Sequence, residues 1–161
     1  MIKIRNPFVE LGHDHDYNCF GCSPFNEIGL HLEFWEDGEE LIAKWQPRKT
    51  FEGWTGVLHG GIQATLMDEL GGWMILIKLK TAGVTASMNV EYLKPLTLAK
   101  GEITIRGKII SIEKRLAKIE CSLFDGKGIE YAKAQLSYFY FPERVAKLKY
   151  NYPGIEAFYE K

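Results

Sequence analysis

Along the chain the hydrophobic and polar positions change their period twice, and each change marks a boundary between elements. Over residues 28–45 the period is two: Leu30, Leu32 and Phe34 alternate with His31 and Glu33, Asp37-Gly38 turns the chain, and Leu41, Ala43 and Trp45 alternate again. This pattern predicts a hairpin. Residues 47–56 have the Pro, Gly and charged content of a loop. Alternation then stops. In HGGIQATLMDELGGWMILIKLK apolar residues fall on every side, which predicts one long helix whose two sides both need covering. After Thr81-Ala82-Gly83 the period returns to two. Val84, Ala86, Met88, Val90 and Tyr92 share one face of a strand and Thr85, Ser87, Asn89 and Glu91 the other, until Lys94-Pro95 closes it. Strand patterns follow at residues 102–112, 116–124 and 129–141, and a short helical turn is expected at 144–149.

A hairpin, one buried helix and about four more strands make an α+β layout, an antiparallel sheet wrapped around a single helix. Such a sheet covers one side of the helix, so a second copy is the simplest cover for the other: a homodimer or a dimer of dimers. The length of 161 residues fits one domain, with an N-terminal cap loop at 1–27, a core at 28–141 and a tail at 142–161. Twenty Lys and Arg against 21 Asp and Glu give a net charge of −1, which disfavours nucleic acid and anionic membrane as partners. The 46% hydrophobic content supplies a packed core. His59, Gln63, Asp68, Glu69 and Lys78 interrupt the most apolar stretch, so no membrane span is expected. Three cysteines and no signal-peptide core lead to a cytoplasmic expectation.

Asp68 and Glu69 are the only carboxylates between Glu52 and Glu91, and they sit mid-helix, where a desolvated charge is costly unless paired or used. Around Asp68 the helical neighbours Ala64, Thr65, Gly71 and Gly72 are all small, so open space is expected beside it. His59-Gly60-Gly61 opens the same helix. Unpaired N–H groups at a helix start, with glycines that admit a ligand oxygen, make a plausible oxyanion site. Nine residues separate His59 from Asp68, about 13.5 Å and two and a half turns, so the two lie on opposite sides of the helix. Two such helices packed antiparallel about a two-fold axis bring Asp68 of one protomer to the Gly60 N–H of the other.

HGGIQATLMD resembles the signature of the hotdog-fold acyl-CoA thioesterases of the phenylacetate-degradation (PaaI) type. The likeness extends to Cys19-Phe20-Gly21-Cys22 with Ile28-Gly29-Leu30, to Gly53-Trp54-Thr55-Gly56, and to Tyr92-Leu93-Lys94-Pro95. It implies hydrolysis of a medium-chain or aromatic acyl-CoA without a cofactor. It also implies Asp68 as general base or nucleophile and the Gly60 N–H as oxyanion donor. His59 is then expected at the helix entry or against the thioester carbonyl, and Thr85 near the attacking water. One position departs: several members carry Asn or Gln six residues before the His, where this chain has Gly53. That departure favours the alternative, a non-catalytic acyl-CoA or fatty-acyl sensor on the same scaffold. A hydratase is the weaker third reading, because His13, His15 and His31 lie outside the helix.

Bland readings stand beside these. Asp68 is otherwise a structural carboxylate, His59 a helix cap, and Gly60 and Gly61 a tight turn. Glu69 reads as a rim or structural residue and as the fallback acid. Lys114 and Arg115, at a strand-to-strand tip, are either CoA-phosphate contacts or solvated turn residues. Trp54 is the candidate pocket wall. His13, His15, Cys19 and Cys22 form H-x-H-x3-C-x2-C, a zinc half-site or simply a covering loop; no metal is the expectation.

Overall fold

In the computed structural model, which describes residues 1–11 and 16–159, the alternating segments form one antiparallel sheet of seven strands. They are β1 (Ile2–Ile4), β2 (Glu33–Asp37), β3 (Glu40–Trp45), β4 (Gly83–Tyr92), β5 (Ile103–Glu113), β6 (Leu116–Phe124) and β7 (Glu130–Tyr140). Their order in the sheet is β1-β2-β3-β5-β6-β7-β4. The long helix α1 (Gly60–Lys78) packs on one face, and a short α2 (Glu143–Lys149) follows β7. Leu66, Met67, Leu70, Met74 and Ile75 of α1 are fully buried against Leu41, Ala43, Ile103, Ile105, Ile119, Leu123 and Leu136 of the sheet. Burial of about 1.5–3 kcal/mol per large side chain makes this helix-on-sheet contact the main source of stability. No helix among the described residues is long and apolar enough to cross a membrane.

Two features differ from expectation. The segment at residues 1–27 is more than a loop, because Ile2, Lys3 and Ile4 pair with Glu36, Trp35 and Phe34 to form an edge strand. Three residues are too few for alternation to announce them. The hairpin also starts later than Leu30: Leu30 and Leu32 are buried, but their N–H groups pair with the carbonyls of Phe20 and Gly21. The far side of α1 is covered in part by the chain's own ends. Trp73 stacks on Phe34, with ring centroids 4.2 Å apart, and receives the edges of Phe8 and Phe158. Gly61, Thr65, Asp68 and Gly72, on one side of α1, are not fully buried.

β4 is the opposite edge of the sheet. Nine of its ten residues pair with β7, Ala86 being bulged out, and Val84, Thr85, Ala86 and Ser87 are exposed. A long uncovered edge is a template for another strand unless something blunts it.

Candidate active site

The helix starts where the sequence places its capping residue. His59, with φ −57° and ψ 132°, is the N-cap, and its Nδ1 accepts the Gly61 N–H at 2.9 Å. Nδ1 is therefore the accepting nitrogen of the ring. The His59 carbonyl takes the N–H groups of Ile62 and Gln63. This leaves the Gly60 N–H with no acceptor among the described residues, at the positive end of a 19-residue helix. Gly61 serves the cap: its N–H is taken, and a Cβ there would stand 3.1 Å from the His59 ring. The Gly60 carbonyl accepts the Tyr92 hydroxyl at 2.6 Å, which ties the helix start to the end of β4.

The loop before the helix is held by its own backbone. Gly53 N–H donates to Val57, Val57 N–H to Trp54, and the Glu52 carboxylate accepts Gly56 N–H at 3.0 Å. Glu52 is thus committed to the loop. Gly53 lies against His59, 3.4 Å from a virtual Cβ to His59 Cα, so the position that departs from the family pattern faces the cap with no side chain. The buried Gln63 donates from Nε2 to the Leu58 carbonyl at 3.0 Å, and its Oε1 has no partner. The sequence showed Gln63 only as a polar break. Here it fastens the loop to the helix. These residues, with Trp54, Tyr92, Leu93 and Pro95, line an open groove of about 1060 Å³. Trp54 stands on this groove with 87% of its surface exposed.

Two turns along, Asp68 is half-buried and its Oδ1 accepts two hydroxyls, Thr85 at 2.8 Å and Tyr138 at 2.6 Å. The Tyr138 hydroxyl also lies 2.5 Å from the Asp68 carbonyl oxygen. Oδ2 accepts from no described residue. Burial above all, then the Asp68 charge, pushes the Tyr138 phenol well up, so it stays a protonated donor. Tyr138 was missed in the sequence because it lies 70 residues away on β7. Its signal was Gly71, where a Cβ would stand 2.8 Å from the Tyr138 ring. The space expected beside Asp68 is therefore partly filled, by this ring.

Thr85 and Tyr92 sit near opposite ends of β4, one bonded to Asp68 and the other to Gly60. The carboxylate and the free amide are thus held apart within one chain. Lys114 and Arg115 lie at the β5–β6 tip, on the Asp68 side: Lys114, with φ 55°, turns the chain, and Arg115 lies over the Tyr140 ring at 5.6 Å. Glu69, next to Asp68, points elsewhere. It accepts Trp73 Nε1–H at 3.2 Å and the Cys19 thiol at 3.5 Å. Of the four residues in the zinc-like motif, His13 and His15 lie outside the described residues.

The family model of the thioesterase superfamily matches residues 55–132, the stretch from the loop before α1 to β7. A Saccharolobus solfataricus protein named as an esterase is 35% identical over 113 residues, which cover 68% of this chain and 72% of that one. The chain belongs to the thioesterase superfamily. Acyl-coenzyme A thioesterase 13 of mouse is 32% identical over 80 residues, 49% of this chain and 56% of that enzyme. Among solved structures, a hypothetical thioesterase protein of Streptococcus pneumoniae with coenzyme A has a TM-score of 0.63 at 21% identity, over 70% of this chain and 87% of that one. A Streptococcus mutans protein bound to acetyl-CoA gives 0.63 and 21% over 75% and 98%. As a superfamily member with the hotdog fold, the chain is a thioester hydrolase. The family match spans both the helix start and Asp68, the two halves described above.

Proposed function

We propose that this thioesterase hydrolyses acyl-CoA thioesters with a medium-length or aromatic acyl group, in the cytoplasm, as a homodimer or dimer of dimers. Each active site takes Asp68 from one protomer and the Gly60 N–H from the other. The observation that carries the reading is the Asp68 carboxylate, with one oxygen held by two hydroxyls and the other without a partner. The CoA part is supported by the thioesterase 13 relative and by the two structural neighbours that hold coenzyme A and acetyl-CoA.

The chemistry follows from the geometry. A water donates one hydrogen bond to Asp68 Oδ2 and one to Thr85 Oγ1, whose own proton is already given to Oδ1. That leaves a lone pair of the water for the thioester carbon. As the C–O bond forms, its proton passes to Asp68, and the carbonyl oxygen gathers charge against the Gly60 N–H at the helix end. Collapse breaks the C–S bond, and the proton moves from Asp68 to the leaving thiolate. No cofactor enters. His59 keeps the helix start in shape through Gly61. Trp54 walls the groove, and Lys114 with Arg115 offers cations to CoA phosphates.

The β4 edge supports the assembly. Paired antiparallel with a second copy of itself about its middle, β4 sets the Thr85 end of one protomer beside the Tyr92 end of the other. Asp68 and Gly60 hang from those two ends. A panel of acyl-CoAs followed by free-thiol release tests the reading. Turnover that Asp68→Ala abolishes without unfolding is expected. Tight acyl-CoA binding with no thiol released contradicts it.

A further inference from the structure

Hydrolysis as described uses nothing from a second cluster on the same helix, formed by Cys19, Cys22 and Glu69. The Cys19 carbonyl accepts Ser23 N–H at 3.0 Å, a tight turn that brings the two thiols of Cys19-Phe20-Gly21-Cys22 together. Both sulfurs and a Glu69 carboxylate oxygen lie within 4.8 Å of one another. Gly21 is shaped for this meeting, since a Cβ there would stand 2.3 Å from Glu69 Cδ. Around the ligand atoms is a supporting layer. The Tyr17 hydroxyl lies 3.1 Å from Cys22 Sγ, and Asn6 Nδ2 donates to Tyr17 at 2.9 Å and to the Cys22 carbonyl at 3.1 Å. Trp73 Nε1–H fixes the carboxylate.

Glu69 is half-buried, and no Lys, Arg or His among the described residues forms an ion pair with it. A carboxylate in that setting lacks its counter-charge. We propose that Cys19, Cys22 and Glu69 form a binding site for a soft divalent cation, with Zn²⁺ as its occupant. Zinc bonds of about 2.3 Å to sulfur and about 2.0–2.2 Å to oxygen, at the tetrahedral angle, set S and O about 3.5 Å apart. Cys19 Sγ lies 3.5 Å from Glu69 Oε1 and 3.7 Å from Oε2. Two thiolates select zinc over magnesium or calcium. The fourth corner opens to a cavity of about 390 Å³ bounded by Tyr17, Trp73 and Leu76, and belongs to water.

Binding displaces the thiol protons, one from each cysteine, as two Zn–S bonds form. A disulfide between the same cysteines would use neither the carboxylate nor its charge, so the convergence of all three favours a cation. The ion would pin the segment around Cys19 and Cys22 onto α1, one residue from Asp68. The site shares no ligand with the proposed hydrolytic machinery, so the two readings fail separately: metal is read by metal content and spectrum, hydrolysis by thiol release.

The test uses the intact 161-residue chain purified under reducing conditions without chelator. Elemental analysis should find about one zinc per chain, and Co²⁺ added to the apoprotein should give a thiolate-to-cobalt band with the visible absorption of a tetrahedral ion. Cys19→Ser should remove most of the band and weaken binding by about 100-fold. Glu69→Gln should keep a thiolate band and weaken binding by at least about 10–100-fold, the loss that follows even from removing a group that only supports a ligand. Cys121→Ala, whose thiol faces the Met67 carbonyl, should change nothing. Circular dichroism confirms that each variant is folded, and the half-exposed Cys19 serves where Cys22→Ser does not fold. Zinc content near zero with no cobalt band overturns the proposal. So does a band unaltered by Cys19→Ser, and so does a Cys19–Cys22 disulfide that persists in glutathione.

Discussion

At the scale of single residues, the helix start offers an unusually clean substitution. Gly60 is the first residue of α1, its N–H has no described acceptor, and His59 before it already has the extended backbone that a following proline requires. Gly60→Pro therefore deletes one donor while the helix start tolerates the ring; a Cβ there meets the Tyr92 ring at 3.3 Å, a contact that this half-exposed side chain can relax. If that N–H stabilises the oxyanion, kcat should fall about 10²–10³-fold with melting nearly unchanged. Tyr138→Phe tests the other half. It removes a hydrogen bond to a carboxylate, a contact of about 1.5–3 kcal/mol, and kcat should drop at least tenfold in stopped assays with a CoA thioester. The two residues differ in how readable they were. His59, Gly60 and Asp68 lie within ten positions and carry a local motif. Tyr138 reaches Asp68 only through the sheet, and only Gly71 hinted that something large stands there.

At the scale of elements, β2 to β7 and α1 were legible because their period is local, although β2 begins at Glu33 rather than near Ile28. The parts that were not legible are held by distant contacts. β1 joins the sheet through Glu36, Trp35 and Phe34, and Phe8 and Phe158 converge on Trp73 from the two ends of the chain. One polar tie joins three such elements: Glu36 of β2 accepts from Lys78 at the end of α1 and from Tyr159 in the tail. Burial raises the Glu36 pKa, but these two donors outweigh it and hold the carboxyl below its ordinary value. A carboxyl lowered in the folded state contributes stability that is fully present above its unfolded pKa of about 4.3, and that stability is lost as pH falls through the folded value. Glu36→Gln should therefore cost about 1.5–3 kcal/mol in urea unfolding at pH 7. The gap between variant and parent should close as the pH is taken below about 4. A gap that widened in acid would contradict the sign.

At the scale of the whole molecule, a single chain presents two half-sites. Asp68 is bonded to one end of β4 and Gly60 to the other, and β4 itself is an open edge ten residues long. The sequence carried this separation in the nine residues between His59 and Asp68 and showed the strand after the helix, whereas that strand's edge position and its ties to both groups emerged only with the sheet. Light scattering on the purified chain should give a dimer or a tetramer. The most direct measurement is complementation between two inactive parents. Asp68→Ala and Gly60→Pro chains are co-expressed with different tags, and the mixed dimers are isolated and assayed for thiol release. Each mixed dimer holds one site with both groups intact, so about half of the parental activity should return. If the mixed dimers stay as inactive as the two variants alone, the aspartate and the amide do not meet across subunits, and the shared site is wrong.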